Sequence, residues 1–307
     1  MKDNMPPDWF EADIQIDSMA DFHEACRQTK RRFIFRGHSS AGWNLMPRIE
    51  RLHAQKLASI HQAGGEESQA LTLFKSRARM YVAEGIRSDL EWLALMQHYG
   101  APTRLLDWTM SPYVGLFFAI AEATGEYSEL WAVDREALDK DANIQLQSLP
   151  EVQLLIERCK GPRLLPPWGS DPRAFDEWFV ERTISRHNPL RSHNIIRSVE
   201  PRNLHERLIA QQGLFLCASG MLGFLGADGS EKQGFHETLI KAIARIGASR
   251  SEPQNRFIRR YQIQAKCRLE LLRELELMNV TYATLFPGLD GFARSIPLHL
   301  LTKDDPW

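Results

Sequence analysis

An apolar run of only three residues, Phe33-Ile34-Phe35, passes directly into Arg36-Gly37. The run is too short for a helix and is built from aromatic and β-branched residues, so it reads as a buried strand whose end meets solvent at a guanidinium and at a residue without Cβ. Two uses fit such a strand end. Arginine offers five donors in a rigid fork suited to phosphate or carboxylate, and glycine lets a ligand come close to the main chain. The same pair also fits a turn whose arginine simply meets a carboxylate, and the segment 32–48, RFIFRGHSSAGWNLMPR, leaves both uses open.

Elsewhere strand and helix signals mix without a repeat. Ile14 and Ile16 alternate with polar neighbours as on an edge strand, and Ser18 with Asp21 opens a short helix to about Gln28. Helical spacing runs from Glu66 to Val82, and Ser88 with Glu91 caps a second helix that stops at Gly100-Ala101-Pro102. Ser111-Pro112 is an N-cap with proline at the first helical position, giving a buried helix 112–123, and Glu129–Val133 follows as a strand. The Pro-, Trp- and Arg-rich segment 159–192 holds loops and one helix near 176–186. Beyond it come a strand at 195–199, a helix capped by Asn203, the glycine-bounded apolar strand GLFLCA at 213–218, and a loop at 226–234. Tyr261–Ala265 is extended, and Leu269, Leu272, Leu275 and Leu277 mark a last helix. The expected class is α+β, a split mixed or antiparallel sheet with flanking helices. Residues 1–29 lead into a core at 30–225, and a C-terminal strand with helices at 226–307 packs on that core.

Composition narrows the function. A chain of 307 residues with 43% apolar and 25% charged residues fits a globular protein with a large core, and a formal net charge of -1 gives no global pull toward nucleic acid or anionic membrane. Cys26, Cys159, Cys217 and Cys267 are scattered without CxxC or a metal-like cluster, as expected of free thiols in a reducing compartment. The N-terminus MKDNMPPDWFEAD has no signal-type apolar core, and runs such as VGLFFAIA at 114–121 are too short to span a bilayer, so a cytoplasmic location is expected.

The second dense stretch is Met96–Ala119, MQHYGAPTRLLDWTMSPYVGLFFA. Gln97, His98, Tyr99, Thr103, Arg104, Asp107, Thr109 and Ser111 crowd beside an apolar helix, and burying so many polar groups without partners is costly. Either they form a structural network, with Arg104 and Asp107 as a buried pair, or they wall a pocket for a polar ligand. No GxSxG context supports a hydrolase triad around His98, and His38, His187, His193, His205 and His236 lack metal spacing.

These residues resemble a bacterial protein family named for Phe-Arg-Gly, the FRG-domain proteins, through Phe35-Arg36-Gly37, Trp43, Pro47, the 96–119 block, Arg207 with QQGLF at 211–215, and LFPGLDGFAR at 285–294. A second resemblance is to ADP-ribosyltransferase folds. There a first strand ends in Arg-Gly or His-Gly, a Ser/Thr-rich strand feeds a helix ending in Phe-Ala, and a third strand starts with a glutamate motif. Arg36-Gly37 is similar to the first element, Thr109, Ser111 and VGLFFA to the second, and Gln211-Gln212-Gly213 stands where the third falls. The resemblance implies NAD as substrate. Arg36 would hold the pyrophosphate or a ribose, Gly37 the nicotinamide amide, and Thr109 and Ser111 the ribose or the sheet beneath it; His98, Tyr99, Thr103, Arg104 and Asp107 would complete the pocket wall.

This chain departs from that pattern at Gln211, whose amide can orient a ribose but sets no full negative charge beside an oxocarbenium-like transition state. Glu206, one helical turn earlier, is the alternative acid, and its other use is as a solvated helix charge. The resulting expectation is an ADP-ribosyltransferase-like effector that modifies a macromolecular acceptor or consumes NAD as a glycohydrolase, a toxin or anti-phage component restrained by a partner protein. The alternatives are a non-catalytic nucleotide sensor and a nucleic-acid module using Arg31, Arg32, Arg36, Arg48 and Arg51 with Trp43 for stacking. The aromatic segment 166–179 fits either a lid or a partner surface.

Overall fold

Among the described residues, short apolar runs bounded by glycine and polar residues assemble into one seven-stranded sheet. The computed structural model describes residues 14–29, 32–55, 63–82, 85–150, 152–154, 171–184, 190, 193–203, 205–220 and 234–302. Strands β1 (Ile14–Ile16), β2 (Phe33–His38), β3 (Leu106–Thr109), β4 (Tyr127–Asp134), β5 (Ile196–Val199), β6 (Gly213–Ala218) and β7 (Ile258–Gln264) lie in the order β1-β7-β4-β2-β3-β6-β5. Neighbours are antiparallel except β1 and β7. The class is therefore α+β with a mixed sheet and flanking helices.

The ladders are uneven. Strand β2 pairs with β4 along its whole length, from Phe33↔Asp134 to His38↔Glu129, and β3 pairs with β6 from Leu106↔Leu216 to Thr109↔Gly213. Between β2 and β3 the register holds at Phe35↔Thr109 alone. Beyond that point the Arg36 guanidinium spans the joint, its Nη1 donating to the Asp107 carbonyl at 2.6 Å. A side chain does there what main-chain hydrogen bonds do elsewhere in the sheet.

Packing shows the same division. One face carries a continuous cluster, with Ile34, Trp131 and Val133 from one half of the sheet and Leu106, Trp108, Leu214 and Leu216 from the other, under helices 135–147 and 235–250. The opposite face carries two clusters. Phe33, Phe35, Leu130 and Tyr261 pack under helices 19–28, 112–120 and 268–277. Val199, Phe215 and Cys217 pack under helices 63–78, 89–98 and 172–184. Both halves are well filled, and the joint between them is where a concavity forms.

Local sequence logic explains most elements. The Ser88 hydroxyl accepts from Glu91 N at 3.2 Å while Glu91 Oε2 accepts from Ser88 N at 3.2 Å, a reciprocal cap that opens helix 89–98. Gly100, at φ +80, ends it in the left-handed region that costs glycine least. The helix expected over 66–82 runs Ala63–Ala78, and the one expected to 123 ends at Ile120. Asn203 is not a helix cap. Its side chain donates to Glu91 Oε1 at 2.6 Å, and His205 caps the short helix Glu206–Ala210 through Nδ1, which accepts from Leu208 N at 3.2 Å. The strand Leu106–Thr109 and helices Arg48–Gln55, Arg135–Gln147, Phe235–Arg250 and Leu289–Thr302 lie beyond the element expectations set out above. Cys159 and residues 166–170 and 226–233 of the expected lid and loop fall outside the described residues. Cys26, Cys217 and Cys267 are free thiols.

Candidate functional site

Glycine at position 37 is required by a helix. A Cβ there would lie 2.2 Å from Ala119 N and 2.4 Å from Gly115 O, main-chain atoms of helix 112–120, and a Cβ on Gly115 would in turn lie 2.8 Å from Phe35 Cβ. The two glycines let the helix lie directly on β2. The Phe35-Arg36-Gly37 tripeptide thus divides its work by the strand's two-residue alternation. Phe35 and Gly37 seat the helix, and Arg36 faces the other way.

Arg36 is half-buried and held at two points. Its Nε donates to His38 Nε2 at 3.2 Å and its Nη1 to the Asp107 carbonyl. Both acceptors are neutral, and among the described residues no carboxylate bonds the guanidinium. Burial, opposed by the field of Asp107 and reinforced by Arg51, pulls its pKa down to about 10. His38 is 5% exposed, and burial followed by the charges of Arg36 and Arg51 pushes its pKa down to about 3, so it stays a neutral acceptor. A partly desolvated cation in such a setting favours an incoming anion.

Around it, at the one-pair joint of the sheet, opens a cleft of about 730 Å³. One wall comes from β2 and the residues after it: Arg36, His38, Trp43, Met46 and Arg51. The facing wall comes from later in the chain: Arg207, Gln211, Tyr282, Phe286 and Arg294. Asp107 and Thr109 of β3, with Phe118 and Glu122, make the floor between them. The Phe286 ring lies under the Arg207 guanidinium at 4.3 Å and the Arg294 guanidinium at 5.6 Å, and meets Phe118 edge-on at 6.0 Å. Arg51, Arg207 and Arg294 form no ion pair among the described residues. Four guanidiniums therefore border one cleft with two carboxylates, Asp107 and Glu122, and Glu122 already accepts from Tyr282 OH at 2.8 Å. Trp43 leaves 52% of its surface exposed there.

Gln211 is fixed by three elements. Its carbonyl accepts from Thr109 Oγ1 at 2.7 Å, its side-chain Nε2 donates to the Leu285 carbonyl at 3.0 Å, and its backbone closes helix 206–210. Here the physical reason for an amide becomes visible. A carboxylate at this position would set oxygen against the Leu285 carbonyl oxygen, whereas the amide donates and keeps its own Oε1 for the cleft.

Of the residues singled out from sequence, Arg36, Gly37, Asp107, Thr109 and Gln211 come together at the cleft. Trp43, Arg51 and Arg207 also line it, whereas His98, Tyr99, Thr103, Arg104, Ser111 and Glu206 lie outside its lining. Arg104 and Glu67 are fully buried against each other, with Nε to Oε2 at 2.7 Å and Arg104 N to Glu67 Oε1 at 3.0 Å. Burial acts against the Arg104 charge, and Glu67 more than offsets it, leaving the pKa raised. The Arg104–Asp107 pair of the structural-network alternative does not form; Asp107 is exposed at the cleft instead. Thr103 bonds Gln97 through its hydroxyl and accepts from Leu105 N at 3.2 Å. Ser111 caps helix 112–120, accepting from Val114 N at 3.4 Å. His98 meets Tyr99 edge-on and His205 at a tilt, with ring centroids 4.9 and 4.5 Å away. Glu206 is exposed.

Arg32 pairs with Asp134 at 2.6 Å and Arg48 bonds the Gly100 carbonyl, so two of the arginines considered for nucleic acid are occupied structurally. In the segment 171–184, Phe175 and Trp178 stack at 5.7 Å, with Arg197 over Phe175 at 4.0 Å, and none of them reaches the cleft lining. Among the described residues no helix is long and apolar enough to cross a membrane. His38 and the Arg207–Phe286–Arg294 stack carry no role in the sequence pattern; the local signals for the stack are Arg207 beside QQGLF and the LFPGLDGFAR motif.

Residues 31–128 match the family model of the FRG domain. The chain carries an FRG domain. The matched stretch contains the Phe35-Arg36-Gly37 strand end, the helix seated on it and the cleft floor, while the facing wall from Arg207 to Arg294 lies beyond it. No curated protein and no solved structure matches the chain. In this FRG domain the namesake tripeptide supplies one cation and one helix seat to a cleft that the C-terminal part of the chain completes.

Proposed function

We propose that the cleft binds NAD and that the protein is an ADP-ribosyltransferase-like effector, cytoplasmic and of toxin or anti-phage type. The supporting observation is the cleft's charge and shape. Four guanidiniums, Arg36 among them with only neutral acceptors, border a space lined by Trp43, Phe118 and Phe286. A ligand with a pyrophosphate between two ring systems meets both demands: the phosphates satisfy charge-assisted donors and the rings stack on aromatic or guanidinium faces. Gln211 Oε1, freed by the bond of its Nε2 to Leu285, is the acceptor for a ribose hydroxyl.

The test is expression in a bacterial host with cellular NAD measured. Growth arrest and NAD loss are expected with the native chain and are lost with Arg36→Ala in a folded variant. Arrest that persists in folded Arg36→Ala would refute the proposal. The amide at Gln211 favours a second reading, a nucleotide sensor on the same site, which would bind NAD without consuming it.

A further inference from the structure

Breaking the bond between a ribose and nicotinamide leaves positive charge on C1′ and O4′, and enzymes meet such charge with a carboxylate. Gln211 has none, and Glu206 is outside the cleft lining. Of the two carboxylates in the lining, Glu122 is engaged by Tyr282 OH at 2.8 Å. Asp107 is different. Among the described residues no side chain bonds its carboxylate, while its backbone is held by β6 and by Arg36. Its carbonyl accepts Arg36 Nη1 at 2.6 Å, and it sits opposite Phe215 in the β3–β6 ladder. Thr109, two residues on and so on the same strand face, holds the Gln211 carbonyl at 2.7 Å. An exposed carboxylate thus projects from rigid main chain between the two anchors of the site, Arg36 and Gln211, with Arg207 also within its field.

We infer that Asp107 is the catalytic carboxylate of this cleft, the acid that faces the sugar cation in place of one at position 211. The inference rests on the NAD reading given above. In the step, the C1′–N bond breaks and its electron pair goes to the ring nitrogen, so that the pyridinium becomes neutral nicotinamide. The oxygen of water or of an acceptor hydroxyl then bonds C1′ and gives its proton to solvent, yielding ADP-ribose or an ADP-ribosylated acceptor. Asp107 lowers the charge penalty of the intermediate state and is itself unchanged at the end. Placement on a laddered strand suits this role, because a carboxylate fixed before the reaction needs no reorganisation during it.

The test measures NAD binding by calorimetry and nicotinamide release by chromatography, side by side, on the full chain and on Asp107→Asn and Asp107→Glu. Asp107→Asn is expected to fold, to bind NAD within roughly threefold of wild type, and to release nicotinamide at least ~100-fold more slowly, with partial recovery in Asp107→Glu. Undiminished release by Asp107→Asn would overturn the assignment and leave the NAD reading standing. Wild type that binds NAD but releases nothing would overturn the assignment and select the sensor. Wild type that does not bind NAD would overturn both.

Discussion

Gly37→Ala adds one methyl group and separates two physical roles for the same glycine. If the residue is there for the helix, the new Cβ meets Ala119 N at 2.2 Å, Gly115 O at 2.4 Å and Phe118 C at 2.6 Å, none of which can rotate away. Ordinary contact begins near 3.4 Å, so helix 112–120 must lift from β2 by roughly 1.2 Å. That helix buries Val114, Leu116, Phe117 and Ala119 in the cluster with Phe33, Phe35 and Leu130, and lifting it loosens the whole layer. Overpacking a core costs about 1–3 kcal/mol, and a clash with three main-chain atoms of one helix belongs at or above the upper end. About 3 kcal/mol corresponds to a fall in Tm of roughly 5 °C for a chain of this size. Thermal unfolding followed by circular dichroism reads it directly. Gly115→Ala should fall in the same direction by less, because its new neighbours at 2.8 and 2.9 Å are the side-chain atoms Phe35 Cβ and Leu130 Cδ1. A Gly37→Ala protein that melts within a degree or two of wild type would refute the helix-seat account and return the glycine to the ligand.

Three further outcomes are expected. Glu67→Ala leaves the Arg104 guanidinium buried and uncompensated and should cost about 3–5 kcal/mol in urea unfolding, whereas replacing both partners with apolar residues should recover most of the loss. Gln211→Glu should destabilise by about 1–3 kcal/mol through carboxylate–carbonyl opposition at Leu285, and a variant as stable as wild type would show that the amide bond does not hold the wall. Acid should weaken the fold. His38, His205 and His236 are held by burial, with help from neighbouring charges, at about 3, 4 and 4, so below the ordinary histidine value of about 6.5 the unfolded chain takes up protons that the folded one refuses. Stability then falls as pH drops from about 6.5 toward 4, while Asp176, raised to about 7 by burial, pulls the opposite way. The slope is therefore best read as a difference: His38→Gln keeps an acceptor for Arg36 and should remove ~2 kcal/mol of the loss between pH 7 and pH 5.

The elements most visible in the sequence are those with local chemistry. Ser88 with Glu91, Ser111-Pro112 and the glycine-bounded run 213–218 state their own boundaries, and the α+β class follows from their mixture. Strand 106–109 is different, since four residues buried at all but Asp107 make too short a pattern to separate from the helices on either side. The helix Leu289–Thr302 contains Pro297 and leaves Leu289, Phe292 and Leu300 exposed, so neither period nor proline logic marks it. The site divides in the same way. Arg36 is conspicuous because a charge ends an apolar run, but nothing local says that Glu67, 37 residues before Arg104, is its partner rather than Asp107. Nor does any spacing show that Arg207, Phe286 and Arg294 face Arg36; that convergence exists only once the sheet has placed β3 beside β2. The glycine after Arg36 shows a further limit, because close approach by a helix and close approach by a ligand ask for the same residue.

Calorimetric titration of the full chain with NAD tests most directly whether Arg36 and its cleft hold an anionic dinucleotide. The account predicts saturable binding at one site, weakened roughly 10- to 100-fold by Arg36→Ala through loss of charge-assisted hydrogen bonds, in a variant that still unfolds cooperatively. Absence of binding by wild type, or equal affinity in folded Arg36→Ala, would contradict it.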